Sequence, residues 1–105
     1  MVEEYYQKPD LKKGEAFKIK GYPENPATYL GFSESTGAHV FHSSQPEVFF
    51  LVLDNWIMEE DGKITNKPTC LLGIERITQQ KLERDMQAKR RLTRILSETG
   101  SEVKV

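Results

Sequence analysis

The sequence predicts a mainly β protein with a C-terminal helix: a small SH3-like or OB-like barrel of five to six short antiparallel strands, followed by one long α-helix. Two observations support this class. Segments rich in β-formers recur at roughly ten-residue spacing between turn residues, as in small barrels and sandwiches. From residue 74 to residue 99 the chain then contains no Gly or Pro and is rich in helix formers.

The first strands are predicted from alternation. Residues 1–14 are polar and are expected to form an irregular N-terminal segment. The segment EAFKIK (15–20) alternates apolar and charged side chains, which is the period of a half-buried strand. The segments ATYLGF (27–32) and AHVFH (38–42) are separated by turn residues and are predicted to pair as a hairpin.

The centre of the chain holds its most apolar segment. VFFLVL (48–53) is a continuous apolar run, which predicts a strand covered on both faces, although periodicity alone leaves a buried helix open. WIMEEDGKIT (56–65) is a predicted hairpin, because Asp61-Gly62 supplies the positive φ angles of a tight turn. TCLLG (69–73) is predicted as the last strand, so that the barrel region covers residues 15–73.

The C-terminal region is predicted to be one basic helix over residues 74–99, ending before Gly100 and followed by a flexible tail, 100–105. Its apolar stripe is interrupted, since Lys81 and Asp85 fall on the same side as Leu92. The sequence therefore leaves open whether this helix packs on the barrel or projects from it.

The composition bounds the class of protein. A chain of 105 residues with 37% apolar and 30% charged residues predicts one soluble domain. The N-terminus has acids where a signal peptide needs cations, and no apolar run reaches the ~18 residues of a membrane span. We therefore expect a cytoplasmic protein without a membrane segment. The single cysteine, Cys70, is expected to be a small buried hydrophobe in a reducing compartment.

The charge distribution is the main functional signal. Residues 79–96 contain six Lys or Arg and two acids, a local charge of +4, so the rest of the chain carries −5 to give the total of −1. On a helix, several of these cations would share one exposed side. We expect a partner-binding surface made of Arg84, Lys89, Arg90, Arg91 and Arg94. The alternative is a solvated helix face that complements the helix dipole.

Nucleic acid is the second candidate partner. Small barrels that bind nucleic acid add exposed aromatic side chains to a basic groove. Here Lys18 and Lys20 would line the open side of the first strand, and Tyr22 in a predicted loop is the better stacking candidate, since Tyr29 and Trp56 are expected in the core. A net charge of −1 argues against a footprint that covers the whole surface.

Metal and catalytic sites are not expected. His39 and His42 are three residues apart on a predicted strand, so they would point to opposite faces and not converge on one metal ion with Cys70. No phosphate-binding glycine loop or nucleophile motif is present.

The sequence thus predicts no enzyme and no cofactor. It predicts a regulatory or adaptor protein that docks its basic helix on an acidic surface of a larger protein assembly. Direct RNA or DNA binding is the alternative, and homo-oligomer formation between the basic helix and the acidic hairpin tip of a second copy is also open.

Overall fold

A computed structural model describes residues 8–44, 47–68 and 73–101, the side chains of residues 23 and 24 excepted. These residues form seven strands and two helices. The strands are β1 (Ala16–Ile19), β2 (Tyr22–Ser33), β3 (Ala38–Ser44), β4 (Glu47–Leu53), β5 (Ile57–Glu60), β6 (Lys63–Asn66) and β7 (Glu75–Thr78). The helices are α1 (Gln79–Arg84) and α2 (Met86–Glu98).

The strands form one mixed sheet in the order β5-β6-β1-β2-β3-β4-β7. All neighbours are antiparallel except β1 and β6, which are parallel through Lys18↔Lys63 and Ile19↔Ile64. The predicted class of a mainly β protein with C-terminal helical structure is confirmed. The predicted closed barrel is wrong, because the sheet has two edges, β5 and β7, that do not pair with each other.

The open sheet still encloses a core on one of its faces, which we call the inner face. Phe50 from β4 belongs to the same buried cluster as Ile57 from β5 and Ile64 from β6, although these strands lie near opposite ends of the strand order. The sheet must therefore curl strongly enough to bring its two ends together around apolar side chains. The two ends of the sheet thus meet through apolar side chains but not through backbone hydrogen bonds. This explains why the strand pattern resembles that of a barrel.

Strand β4 is covered on both sides, as its continuous apolar run predicts. Its residues Val48 to Val52 are all buried. Phe50 faces the inner cluster, whereas Phe49 and Leu51 belong to a second cluster on the opposite face, which we call the helix face. Alternation along a strand places successive side chains on opposite faces, so an apolar residue at every position indicates two covered faces.

The predicted single helix over 74–99 is wrong in two respects. Its first residues form β7, because Ile77 pairs with Phe49 of β4 and is fully buried there. The remainder is broken at Asp85, whose side chain accepts hydrogen bonds from the backbone N–H groups of Gln87 and Ala88. A carboxylate that caps a new helix N-terminus in this way competes with continuation of the preceding helix.

Helix α2 packs on the sheet and does not project from it. Ala88, Leu92, Ile95 and Leu96 are buried in the helix-face cluster. The helix ends at Thr99, after which Gly100, with a φ of 79°, and Ser101 donate backbone hydrogen bonds to the last turn. This arrangement is a Schellman motif, and it confirms Gly100 as the helix stop that the sequence predicts.

Two further predictions concern the loops and strands. The β5–β6 hairpin has the predicted two-residue turn, with Asp61 and Gly62 both at positive φ. Strand β2 is longer than predicted, since it begins at Tyr22 and includes much of the expected loop. The predicted strand TCLLG, Cys70, and most of the N-terminal segment and tail lie outside the described residues. Within the described ranges, neither helix has the length and apolar character needed to span a bilayer.

Candidate functional site

The exposed side of α2 carries a shallow groove of about 480 Å³. We call this surface the cationic face of α2, and it consists of Met86, Lys89, Arg90, Thr93, Arg94 and Ser97. Residues at these spacings share one side of a helix. The buried residues of α2 lie on the opposite side, so the face points away from the sheet.

The cationic face combines charge with an exposed apolar side chain. Met86 is 70% exposed, the most of any large apolar residue in the described part of the chain. Lys89 and Arg90 form no ion pair with any described residue, and the face itself contains no carboxylate. The positive charge of Arg94 influences the Glu98 carboxylate, but the two groups are too far apart to form an ion pair. Three cations beside one thioether are therefore available to a ligand.

Two of the predicted cations lie elsewhere. Arg91 is on the flank of α2, where its guanidinium donates to the carboxylate of Glu75 on β7. That contact ties α2 to the sheet edge and neutralises the charge of Arg91. Arg84 is exposed but belongs to α1, because the break at Asp85 separates it from α2. The predicted five-residue surface is thus reduced to Lys89, Arg90 and Arg94 on one helix side.

The C-terminal end of α2 is held by Glu98. Its carboxylate accepts hydrogen bonds from the Ser33 hydroxyl at 2.6 Å and the Ser35 backbone N–H at 3.1 Å. These bonds, chiefly that from Ser33, lower the pKa of Glu98, with a smaller contribution from the positive charge of Arg94. Contacts in the middle of α2, at Arg91, and at its C-terminal end, at Glu98, therefore fix how the cationic face is presented.

The predicted nucleic-acid residues do not form a comparable surface. Lys18 is exposed on β1, but Lys20 pairs with Glu60 at 2.8 Å. Tyr22 is not in a loop: it begins β2 and is only 7% exposed, with its ring against Phe50. The predicted exposure of Tyr22 is wrong, because the Pro-rich segment that follows it belongs to strand β2 and does not form a loop. Tyr29 is buried as predicted, whereas Trp56 is only half-buried.

A series of polar side chains that the sequence does not indicate begins at the inner face, where Tyr29 and His39 are buried, and ends at the exposed side chains of Asp54 and Lys8. The Tyr29 hydroxyl lies 2.8 Å from Nδ1 of His39, whose Nε2 lies 2.6 Å from Oδ1 of Asp54. Lys8 donates to the same carboxylate at 3.0 Å. A neutral His39 that donates from Nε2 to Asp54 accepts from the Tyr29 O–H at Nδ1, so every group in the series is satisfied.

The hydrogen bonds of Tyr29, His39 and Asp54 connect β2, β3 and the residue that follows β4. Burial, and to a lesser extent the negative charge of Asp54, raises the pKa of Tyr29. A phenol whose pKa is raised stays protonated over a wider pH range, so the O–H group of Tyr29 remains available to His39. Two hydrogen bonds therefore link Tyr29, His39 and Asp54. We infer that these hydrogen bonds stabilise the β2–β3 pair and the start of the β4–β5 loop.

Acid is expected to weaken the fold partly through Asp54. Hydrogen bonds from His39, then Lys8, hold the pKa of Asp54 below its ordinary value of 3.8. A carboxyl whose pKa is lowered by folding stabilises the native state above its unfolded pKa, and this contribution is lost as the pH falls through the folded pKa. We expect the free energy of unfolding, measured in urea, to fall less between about pH 5 and about pH 2.5 in Asp54→Asn than in the unsubstituted protein. Equal falls would contradict this assignment.

The two buried tyrosines should respond oppositely to removal of the hydroxyl. The Tyr22 hydroxyl is buried without a hydrogen-bond partner among the described residues, whereas that of Tyr29 bonds to His39. A buried polar group without a partner costs about 1 kcal/mol or more. We expect Tyr22→Phe to raise the free energy of unfolding by about 1 kcal/mol and Tyr29→Phe to lower it by a similar amount. Each serves as the control for the other in urea unfolding, and changes of the same sign would refute the assignment.

The histidines occupy opposite faces of β3, as alternation predicts. His39 contacts Tyr29 on the inner face, and His42 pairs with Glu47 and packs its ring 4.7 Å from Phe49. Among the residues that the structure describes, no three His, Cys, Asp or Glu side chains are grouped so as to hold a metal ion.

The cationic face of α2 is therefore the candidate site. It is the surface where unpaired charge, exposed apolar area and a groove coincide. Comparison of the chain with protein-family models, with curated proteins and with solved structures gave no match in any of the three.

Proposed function

We propose that this protein is a non-enzymatic binding module that docks the cationic face of α2 on an acidic surface of a larger protein assembly. The observation that supports it is the group of Lys89, Arg90 and Arg94 around Met86, held on the solvent side of a helix whose opposite side is buried. Arg and Met are both enriched in protein interfaces. An acidic partner complements the charges, and an apolar partner side chain covers Met86.

A protein partner suits this surface better than a nucleic acid. Phosphate binding requires cations but gains nothing from a thioether in their midst. Sequence-tolerant nucleic-acid binding also uses exposed aromatic rings, and the Tyr22 ring is buried. Of the two lysines expected beside it, Lys20 is paired with Glu60, whereas Lys18 is exposed on β1. These findings leave the cationic face without the stacking platform that a nucleic-acid site would use.

The size of the face sets the kind of binding. From Met86 to Ser97 it extends about 17 Å, at the 1.5 Å rise per residue of an α-helix. One helix side of this length is small beside the ~800 Å² per partner of a standard interface. The proposed docking is therefore transient and charge-steered, with an association rate that falls as salt rises.

The test measures fluorescence anisotropy of a labelled acidic amphipathic peptide and, in parallel, of a labelled single-stranded RNA. The charge reversal Arg90→Glu with Arg94→Glu is compared with Lys12→Glu and Lys63→Glu, two exposed residues outside α2. Both pairs change the net charge by the same amount. We expect the α2 pair to weaken peptide binding about tenfold or more, since several charges are reversed at the contact, and the control pair to change it little.

The outcomes separate the alternatives. Equal losses in the two double variants would show that only net charge matters, which contradicts a defined docking face. RNA binding tighter than peptide binding, lost in the α2 pair, would replace the protein partner by nucleic acid.

A further inference from the structure

A second depression lies on the opposite side of the sheet from α2. It is a cleft of about 240 Å³ at the inner face, between the β1–β2 turn, the end of β6 and the edge strand β7. Its polar lining comes from Lys20, Thr65, Asn66 and Arg76, with Ile19 and the Tyr22 ring among the remaining residues. The cleft exists because the sheet does not close, so it lies where the two ends of the strand order approach each other.

The lining of the cleft is cationic and rich in hydrogen-bond donors. Lys20 and Arg76 are among its lining residues, and no acidic residue is among those described there, although the chain as a whole carries −1. Arg and Lys side chains can only donate, Thr65 contributes an O–H group, and Asn66 contributes an amide that also donates to the Lys67 carbonyl. Such a set is complementary to an acceptor with negative charge.

Arg76 is the key side chain. It lies directly opposite Phe50 in the β4–β7 pair, so it shares the inner face of the sheet with that ring. No described residue forms an ion pair with it. A charge on an edge strand can serve to prevent edge-to-edge association. That role would not require a second cation and two polar side chains around the same cleft.

We propose that this cleft binds a small oxyanion, the phosphoryl or carboxylate group of a small polar molecule. Arg76 presents a planar pair of N–H donors suited to two oxygens of one anion, and Lys20 adds a point charge. The volume equals that of about eight liquid water molecules at ~30 Å³ each, which is enough for one such group and a small molecule attached to it. This site is separate from the cationic face of α2.

Glu60 opposes the oxyanion in this arrangement. Its carboxylate holds the Lys20 ammonium at 2.8 Å but does not itself line the cleft. The pair is exposed, so its removal changes stability little. Neutralising Glu60 frees Lys20 and removes a nearby negative charge, and oxyanion binding then becomes tighter. Substitution of Arg76 is therefore expected to weaken oxyanion binding and substitution of Glu60 to strengthen it, and neither residue is in the core.

The test follows backbone amide shifts of the full chain by NMR during titration with inorganic phosphate and, separately, with acetate, at constant ionic strength set by chloride. We expect saturable shifts at Lys20, Asn66 and Arg76. Arg76→Gln is expected to weaken binding about tenfold, the loss of a charged hydrogen bond. Glu60→Gln is expected to tighten it severalfold, and Lys12→Gln, exposed and outside the cleft, to leave it unchanged.

The two probes identify the group that is bound. Tighter saturation by phosphate assigns a phosphoryl group, and tighter saturation by acetate assigns a carboxylate. Shifts that do not saturate, that spread over the surface, or that saturate in Arg76→Gln at the same concentration as in the unsubstituted chain would overturn the proposal. So would equal affinities of Glu60→Gln and the unsubstituted chain.

Discussion

Replacing Gly31 by alanine is expected to lower the free energy of unfolding by about 2 to 3 kcal/mol. The register of the β2–β3 pair shifts between Tyr29 and Gly31, and the φ of Gly31 is 137°. A Cβ there would also lie 3.2 Å from Cβ of Thr99, the C-cap of α2. The substitution therefore strains the backbone at the point where the end of α2 contacts the sheet.

Urea unfolding with two further variants separates these causes. Gly14→Ala also places alanine at a positive φ, 88°, but its Cβ would meet nothing within 4 Å, so it reports strain at a positive φ without a close contact. Thr99→Ser keeps the hydroxyl that donates to Leu96 and removes a methyl group 3.3 Å from the new Cβ. We expect Thr99→Ser to recover part of the loss in Gly31→Ala. A loss in Gly31→Ala no larger than in Gly14→Ala would contradict the close approach.

Leu92→Ala is expected to lower the free energy of unfolding by about 3 kcal/mol, because it leaves a cavity under α2. Leu92 is fully buried in the cluster that also contains Val40 and Phe49 of the sheet. A helix that projected from the sheet would tolerate this change. The substitution thus tests in solution whether α2 belongs to the folded core.

Gln87→Ala is the matched control for Leu92→Ala. Gln87 is exposed on the same helix, and only its backbone N–H takes part in the cap at Asp85. We expect its effect to stay within about 0.5 kcal/mol. Equal effects of the two substitutions in urea unfolding would show that the helix-face cluster does not form around Leu92.

The sequence pattern was sufficient to predict the structure where it is determined by residues that are neighbours in the chain. The Asp61-Gly62 turn and the stop at Gly100 depend on backbone angles that few residues adopt, and both were predictable. The burial of β4 on both faces followed from its apolar run. Closure of the sheet was not predictable, because pairing between strands far apart in sequence depends on the registers of all of them.

The site shows the same division between local and distant causes. The positions of Lys89, Arg90 and Arg94 on one side of α2 follow from helical spacing. The pairing of Arg91 with Glu75 does not, since it requires β7 to lie beside α2. The chain from Tyr29 through His39 to Asp54 likewise joins three separate strands or loops, and no spacing in the sequence indicates it.

The most direct test of the cationic face as a docking surface is an NMR titration that follows the Met86 methyl group during addition of an acidic amphipathic peptide. Met86 is exposed within the face, and the buried Met58 in β5 provides an internal reference. We predict a saturable shift of the Met86 methyl and of the backbone amides of Lys89, Arg90 and Arg94, with Met58 unchanged. An unchanged Met86 signal while the peptide binds elsewhere on the protein would contradict the proposed function.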